Sequence, residues 1–428
     1  MGIPGSSYFF RPISKSRRVT DFKGRRVLVD GNSVLHKQCI GRRGSGTEPT
    51  RKDGKSINHI YSIFMYVTGL LEKGILPYFV FDGKAPVEKT NTIKERHSVK
   101  KTAIQKCKTI DDKLSSEYVK NFKKSFHITH KQINECKRLL KAMGITVIQA
   151  LEEADAQLAA LSHIYCDEFA GIITEDPDVL VYAGTTMLKD FSFRKNSITE
   201  VNRASLLLYL RDKANIIRSH AAMEPIEIFT HINFIDFAVM MGTDYKVAGQ
   251  DTKQLQISGI TVHEKHESLF ELFVLSDCDI VKMVEMMKLI NELANMNDQS
   301  NIYFIPHNYA QSMLDIRNVY LKATVIDPQS ISLELIKPDP AEIIKILCVE
   351  NDMDQNFVSG RIARIITNYM TFTNMPIHSN KQFASLSGYH YKFCKKRSST
   401  QGSHVFNICR QITKPTFTTS NRFDAIAT

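Results

Sequence analysis

The sequence predicts an α/β protein with a mostly parallel central sheet, flanking helices and a mainly helical C-terminal half. Three short apolar runs are β-like, and each ends at or just before a carboxylate: residues 27–29, 78–81 and 172–174. Segments with helical apolar spacing separate these runs, as is typical of parallel sheets. Ligands bind at the carboxyl edge of such a sheet, so acidic residues there are candidate functional groups.

Residues 25–82 predict a strand, a polar loop, a helix and a second strand. The loop, residues 41–56, is rich in glycine and polar side chains. Residues 57–74 have helical apolar spacing and stop at a glycine.

Residues 89–131 predict a basic helical arm. They have few apolar positions, which favours an arm that projects from the globule over a core element. Between Lys84 and Lys141 there are 16 Lys or Arg and 6 Asp or Glu, so this stretch carries +10 of the net charge of +11. That concentration of positive charge favours a polyanionic partner.

The second half of the chain predicts further helices and strands. Residues 133–144 form an amphipathic helix pattern, 144–149 a strand, 152–165 an Ala-rich helix, and 235–245 an apolar helix ending at Gly242. From Asp244 to about Tyr369 the pattern is mainly helical. Residues 369–428 carry little periodic apolar signal, which predicts a loosely ordered tail.

Seven acidic residues lie at or near the ends of the apolar runs. One carboxylate at a strand end is usually a turn residue, and acidic residues in the first turn of a helix are favoured by its dipole. Seven together repel one another unless hard cations neutralise them, and Mg²⁺ or Mn²⁺ prefers oxygen ligands. The pattern therefore predicts metal-assisted phosphodiester chemistry. The seven are Asp30, Asp82, Glu153, Asp155, Asp176, Asp178 and Asp244.

Composition restricts the other possibilities. The eight cysteines form no Cys-x-x-Cys pair and have no regular spacing, which argues against a disulfide framework or a zinc site. A reduced intracellular compartment is the simplest interpretation. The sequence contains no run of 18 or more apolar residues, so we expect no membrane anchor.

Six motifs in this order and spacing resemble the flap endonucleases, of the structure-specific 5′ nuclease family, over roughly residues 1 to 368. They are MGIPG at the start, VLVDGNS around Asp30, PYFVFDGKAP around Asp82, GITVIQALEEADA around Glu153, ITEDPDVLVYAG around Asp176, and MGTDY at Asp244. The resemblance implies a PIN-like nuclease fold in five parts. These are an N-terminal nuclease region (1–88), a basic helical arch (89–131), an internal nuclease region (132–250), a duplex-binding and core-completing region (251–368), and the tail (369–428).

The same resemblance implies two Mg²⁺ ions, with Mn²⁺ as an alternative. Asp30, Asp82, Glu153 and Asp155 would serve the first ion, and Asp176, Asp178 and Asp244 the second. In two-metal hydrolysis the ions bind the scissile phosphate, activate water and stabilise the leaving oxygen.

Lys89 and Arg96 match the two basic catalytic positions of the family. Their separation of seven predicts one helix face, from which they would stabilise charge on the phosphate. The alternative is that they are exposed cations of a solvated helix. The resemblance also implies substrate contacts at a further set of positions, namely Gly2, His36, Arg43, Lys100, Lys101, Gly242 and Gly259.

Several departures indicate a divergent member, similar to those that large DNA viruses carry. Asp155 stands where the family has Glu, and His36 stands where it has a base-stacking aromatic residue. Tyr66 replaces an expected arginine, so we predict a core tyrosine there. The hairpin after Asp244 keeps Gly259 but has Thr261 at its second glycine. The tail lacks the clamp-binding motif of the family, so no sliding-clamp partner is expected.

The function that these features imply is cleavage of branched DNA at a 5′ flap, together with 5′–3′ exonuclease activity, in replication, repair or recombination. A monomer, located in the nucleus rather than the cytoplasm, is expected. Three alternatives stay open: a relative that cleaves RNA, a junction-resolving or excision nuclease, and a non-catalytic nucleic-acid-binding scaffold. The scaffold predicts loss of ligand positions, whereas all seven are acidic here.

Overall fold

A seven-stranded sheet forms the centre of the protein in a computed structural model, which describes residues 6–44, 48–112, 115–245, 256–257, 262–297, 300–373, 394–395 and 405–407. The strands lie in the order β1-β7-β6-β5-β2-β3-β4. They are β1 (Lys15–Arg18), β2 (Arg26–Asp30), β3 (Leu76–Phe81), β4 (Val147–Gln149), β5 (Phe169–Ile173), β6 (Thr186–Ser192) and β7 (Ser197–Asn202).

The sheet is mostly parallel, as the sequence predicted. Strands β6, β5, β2, β3 and β4 run parallel, whereas β7 is antiparallel to both β6 and β1. From β2 the chain builds outward to β3 and β4 on one side and to β5 and β6 on the other. The boundary between β2 and β5 is therefore a topological switch point, where open α/β sheets bind ligands. Strand β3 is buried along its whole length, as expected for a strand covered on both faces.

Helices cover the sheet and form the arch. They are α1 (Ser6–Phe10), α2 (Gly31–Gly44), α3 (Asn58–Glu72), α4 (Thr90–Thr109), α5 (Ser116–Lys124), α6 (His130–Ala142), α7 (Ala154–Ile164), α8 (Asp178–Val181), α9 (Arg203–His220) and α10 (His231–Met241). Helices α4 and α5 pack against each other and lie within the segment for which a basic arch is predicted. Only Thr92 and Ala103 of α4 are buried, which agrees with the scarcity of apolar residues there.

Local chemistry sets where α6 begins and ends. Thr129 and Gln132 form a reciprocal capping box, in which the Gln132 amide donates to Thr129 Oγ1 at 3.2 Å. Beyond the helix, Gly144 has a φ of +75°, a conformation that glycine adopts without strain. The predicted glycine stop is therefore confirmed.

Two features of the first half were not predicted. Helix α2 starts directly after β2, where Asp30 Oδ1 accepts the Ser33 backbone amide at 3.0 Å. The same helix also includes residues 41–44 of the predicted polar loop. The antiparallel strands β1 and β7 were also missed. All four residues of β1 are exposed, so this edge strand carries no apolar alternation for a sequence pattern to detect.

The described C-terminal half is mainly helical, as predicted. Its helices are α11 (Val262–Leu275), α12 (Ile280–Met296), α13 (Tyr309–Leu321), α14 (Pro340–Ile344), which continues as a π-helical turn (Lys345–Val349), and α15 (Gln355–Thr373). Its short strands are β8 (Gln256–Ile257), β9 (Tyr303–Phe304), β10 (Thr324–Ile326), β11 (Cys394–Lys395) and β12 (Val405–Asn407). Most of the predicted tail, 369–428, lies outside the described residues.

The C-terminal half packs back onto the sheet domain. The Gln157 side chain of α7 donates to the Ile326 carbonyl at 3.1 Å and accepts the Ile326 amide at 2.7 Å. The Tyr78 hydroxyl donates to the Leu333 carbonyl at 2.7 Å. Among the described helices, none is long and apolar enough to cross a membrane.

Candidate active site

The carboxyl edge of the sheet gathers the predicted carboxylates. Asp30 is the last residue of β2, and Asp82 follows β3 directly. Glu153 is the N-cap residue of α7 but makes no side-chain capping bond, Asp155 lies in the first turn of that helix, and Asp178 begins α8. Adjacent parallel strands end at the same edge, so these elements bring residues that are far apart in sequence into one place.

Two hydrogen bonds hold the Asp30 carboxylate. It is 5% exposed, and the Thr174 hydroxyl donates to its Oδ2 at 2.9 Å while the Ser33 amide holds Oδ1. Burial, followed by the nearby charge of Asp82, raises the pKa of Asp30 to about 7, although the two hydrogen bonds oppose the shift. Asp30 is therefore both oriented by its neighbours and poorly compensated in charge.

Asp155 and Asp178 each have an oxygen without a partner. Both side chains are buried, at 8% and 1% exposure, and Oδ1 of each lacks a hydrogen-bond donor. Burial raises the pKa of both carboxyls well above the ordinary value, and the charge of Asp176 adds to the effect. Burial, reinforced by Asp244, also raises the pKa of Asp176. These mutual effects show that the carboxylates form one electrostatic cluster.

Asp82 is tied to the loop that carries Glu153. Its Oδ1 accepts the Ala154 amide at 3.0 Å, at the start of α7. The next residue, Gly83, donates its amide to the Glu152 carbonyl at 2.6 Å. A Cβ on Gly83 would stand 2.2 Å from the Ala150 carbonyl oxygen, so only glycine permits this close approach.

Two cations from the base of the arch reach the cluster. Lys89 forms an ion pair with Glu153, and Arg96 forms one with Asp244. Burial alone would lower the pKa of Lys89, but the carboxylates of Glu153, Asp155 and Asp178 together outweigh burial and raise that pKa. Lys89 lies in the 3₁₀ turn Val87–Lys89 ahead of α4, so the two cations do not share one regular helix face as the spacing predicted. Both nevertheless point at carboxylates.

The donor chemistry of the cluster fits a divalent cation. Every candidate ligand is a carboxylate, and the unpartnered oxygens of Asp155 and Asp178 are groups that a hard cation would satisfy. In the part of the chain that the structure describes, no three His, Cys, Asp or Glu side chains are already arranged to hold a metal ion. Glu153 and Asp244 are each paired with a cation, Lys89 and Arg96 respectively.

The predicted substrate-contact residues have diverse surroundings. His36 is half-buried with its ring centroid 5.6 Å from that of Phe126, and burial, then Lys100 and Arg96, lower its pKa. Lys100 is half-buried, and burial followed by Arg96 lowers its pKa. Lys101 is exposed on α4.

Arg43 connects α2 to the arch. Its guanidinium lies 3.9 Å from the ring centroid of Phe122 and donates to Ser125 Oγ at 3.4 Å. The contact holds α5 against the globule, a role that the sequence did not predict.

The remaining predicted positions are glycines and Tyr66. Gly242 ends α10 with a φ of +111°, two residues before Asp244, which explains a glycine there. Gly2 and Gly259 lie outside the described residues. Tyr66 is 3% exposed and packs edge-on against Phe191 and Phe193, so the prediction of a core tyrosine is confirmed.

Three supporting residues were missed by the sequence reasoning. Thr174 holds Asp30, the Thr92 hydroxyl donates to the Asp244 carbonyl at 2.5 Å, and the Tyr320 hydroxyl donates to Asp178 Oδ2 at 3.3 Å. Thr174 ends the predicted strand 172–174, so its place at the sheet edge was predicted, but its contact with Asp30 was not. Tyr320 lies 142 positions from its partner, so no local pattern could have revealed it.

Two segments of this chain, which together contain all seven carboxylates, match domain models of one nuclease family. The XPG N-terminal domain matches residues 1–103, and the XPG I-region matches residues 144–244. The chain is similar to flap endonuclease 1 of Tetrahymena thermophila, with 26% identity over 351 residues that cover 81% of this chain and 82% of that protein. Flap endonuclease 1 of Homo sapiens is 23% identical over 372 residues, covering 85% and 86%.

Solved structures share the fold. The catalytic core of Rad2 in complex with DNA substrate matches with a TM-score of 0.55 at 20% identity, covering 85% of this chain and all of that one. Flap endonuclease-1 from Methanococcus jannaschii matches with a TM-score of 0.53 at 21% identity, covering 84% and 96%. The PIN-like α/β fold is thereby confirmed.

Proposed function

Because this chain is a divergent member of the flap endonuclease family, of the structure-specific 5′ nucleases, we propose that it is a divalent-metal-dependent nuclease that hydrolyses phosphodiesters in branched DNA. One observation carries the proposal: seven carboxylates from five segments of the chain lie within electrostatic reach of one another, and two of them, Glu153 and Asp244, pair with Lys89 and Arg96. Such a charge distribution matches a phosphodiester and its counter-ions.

The carboxylates would hold the metal. We assign Asp30, Asp82, Glu153 and Asp155 to one Mg²⁺ and Asp176, Asp178 and Asp244 to a second, with Mn²⁺ able to substitute. Bound divalent ions supply Lewis-acid chemistry, which lowers the pKa of water and stabilises a leaving oxygen.

The residues of the chain orient the reacting phosphate. Lys89 is largely buried, with its side chain 14% exposed, and its raised pKa keeps it charged over the whole working pH range. Arg96 is more exposed, at 39%, and can exchange its carboxylate partner for a phosphate oxygen. Both would place positive charge where negative charge develops in the transition state.

The arch would guide a single strand to this centre. Helix α4 is mostly exposed and carries the half-buried Lys100 and the exposed Lys101. Non-specific contacts of this kind attract the nucleic-acid backbone and make binding dependent on salt. We therefore propose a 5′ flap as the preferred substrate, 5′–3′ exonuclease action as a second activity, and residues 251–368 as the region that binds duplex.

The cellular setting follows from the substrate. A role in replication, repair or recombination requires access to DNA, so we propose an intracellular and nuclear location. A monomer contains every residue that the proposed chemistry uses.

Substrate comparison tests the proposal. End-labelled 5′-flap, 3′-flap, nicked-duplex and single-stranded DNA, with matched RNA, are incubated with the protein and Mg²⁺. Cutting near the base of the 5′ flap, abolished by a chelator, is the expected result. Cleavage chiefly of RNA would support the RNA-cleaving alternative, and binding without cleavage would support the scaffold.

A double substitution tests the assignment of the site. Changing both Asp176 and Asp178 to Asn removes two charges while keeping the side-chain size. We expect cleavage to fall by several orders of magnitude and DNA binding to persist, since binding depends on the arch. Undiminished cleavage would refute the assignment.

A further inference from the structure

Tyr320 contacts the candidate active site from the C-terminal half of the protein. Its ring is fully buried in α13, and its hydroxyl donates to Asp178 Oδ2 at 3.3 Å. Asp178 is itself 1% exposed, and its other oxygen, Oδ1, lacks any protein donor. The hydroxyl thus satisfies one carboxylate oxygen and leaves the second available.

Aromatic packing determines where this hydroxyl points. The Tyr320 ring lies 4.8 Å from that of Tyr182 and 5.1 Å from that of Tyr245, the second contact being edge-on at 84°. The hydroxyls of Tyr182 and Tyr245 are hydrogen-bonded to each other, and the Lys89 ammonium lies 5.0 Å from the Tyr245 ring centroid. The tyrosines therefore form a rigid layer under both Asp178 and Lys89.

A second contact fixes the helix that carries Tyr320. Arg317, almost one turn earlier in α13, pairs through two nitrogens with Asp236 of α10. Asp236 is 1% exposed, so the pair is a buried anchor between α13 and α10. With the helix and the ring both held, Tyr320 has little freedom to leave Asp178.

We propose that Tyr320 is a positioning residue that orients Asp178 for binding a divalent cation. The inference rests on the proposed function and extends it to a residue outside the carboxylate cluster. A hydrogen bond to one oxygen of a ligating carboxylate fixes its rotamer, and loss of such a supporting contact typically costs about 10- to 100-fold in metal affinity or activity. Phenylalanine would fill the same space but leave Asp178 Oδ2 without this donor.

Tyr320→Phe tests the proposal against Tyr309→Phe as a matched control. Tyr309 is also buried and begins the same helix, so both variants remove one buried tyrosine hydroxyl from α13. Free Mn²⁺ is titrated by electron paramagnetic resonance in the absence of DNA, and the melting temperature of each variant is recorded. The Mg²⁺ concentration for half-maximal flap cleavage gives a second readout.

We expect Tyr320→Phe to weaken Mn²⁺ binding about tenfold or more, to shift the Mg²⁺ requirement in the same direction, and to leave DNA binding unchanged. Tyr309→Phe should leave both metal readouts unchanged. Wild-type Mn²⁺ affinity in Tyr320→Phe, with or without a lower melting temperature, would overturn the inference, because a merely structural role affects only stability. Wild-type protein that neither bound Mn²⁺ nor cleaved DNA would overturn the proposed function, and the inference with it.

Discussion

Replacing Gly83 by alanine should disrupt catalysis through a purely steric effect. A Cβ at this position would lie 2.2 Å from the Ala150 carbonyl oxygen and 2.3 Å from that of Leu151, whereas ordinary contact begins at 3.4 Å. Both neighbours are backbone atoms, so the conflict cannot be relieved by rotating a side chain. The loop that precedes α7 must therefore move by about 1 Å relative to Asp82.

This displacement would separate groups that have to act together. The same loop leads directly into Glu153, while Asp82 directly precedes Gly83 and accepts the Ala154 amide. A misplacement of about 1 Å typically costs about 10²-fold in rate, which corresponds to about 2.7 kcal/mol of transition-state stabilisation. We expect Gly83→Ala to slow single-turnover cleavage of a 5′ flap by about that factor and to leave substrate affinity nearly unchanged.

Gly360→Ala provides the control. Gly360 lies in α15, and a Cβ there would meet nothing within 4 Å, so this variant should keep full activity and gain up to about 1 kcal/mol of helix stability. Melting temperatures distinguish a local shift from general unfolding. Activity within threefold of wild type for a folded Gly83→Ala protein would refute the steric reasoning.

Other substitutions probe the charges. Lys89→Ala or Arg96→Ala should slow cleavage at least about tenfold while changing the dissociation constant for DNA much less, because both cations pair with carboxylates of the site. Equal losses of cleavage rate and DNA affinity would show that the two cations act only by general electrostatic attraction to DNA. Lys101→Ala, at an exposed arch position, should weaken DNA binding and reduce the slope of log affinity against log salt by about 0.7, and an unchanged slope would contradict its contact with the strand. The pKa of Asp30 is raised from 3.8 to about 7, so its stabilising contribution is full at acid pH and is lost as pH rises through 7. In chelator, the melting temperature should therefore fall between pH 4 and 8, and Asp30→Asn should flatten that fall; an identical pH profile would show that Asp30 is not the responsible group.

Local patterns determined much of the nuclease core. The apolar runs around residues 27–29 and 78–81 predicted their strands because β-structure needs a continuous buried face, and each run delivered its carboxylate to the correct edge. Tyr66 was placed in the core because its neighbours on α3 have helical apolar spacing. The helix starting at Gly31 was not predicted, since its first turn depends on the Asp30 side chain rather than on apolar periodicity.

The sequence by itself determined which residue types are available, in which order, and at which strand ends: carboxylates, a basic arm and an α/β core. Only the tertiary structure decided which of them touch. Lys89 meets Glu153 across 64 positions and Tyr320 meets Asp178 across 142, and the second contact joins the C-terminal half to the sheet domain. The physical reason is the separation along the sequence over which each kind of interaction acts. Helix and strand patterns reflect interactions between residues a few positions apart, whereas an ion pair or a buried hydroxyl depends on how whole helices pack, which the local sequence does not encode.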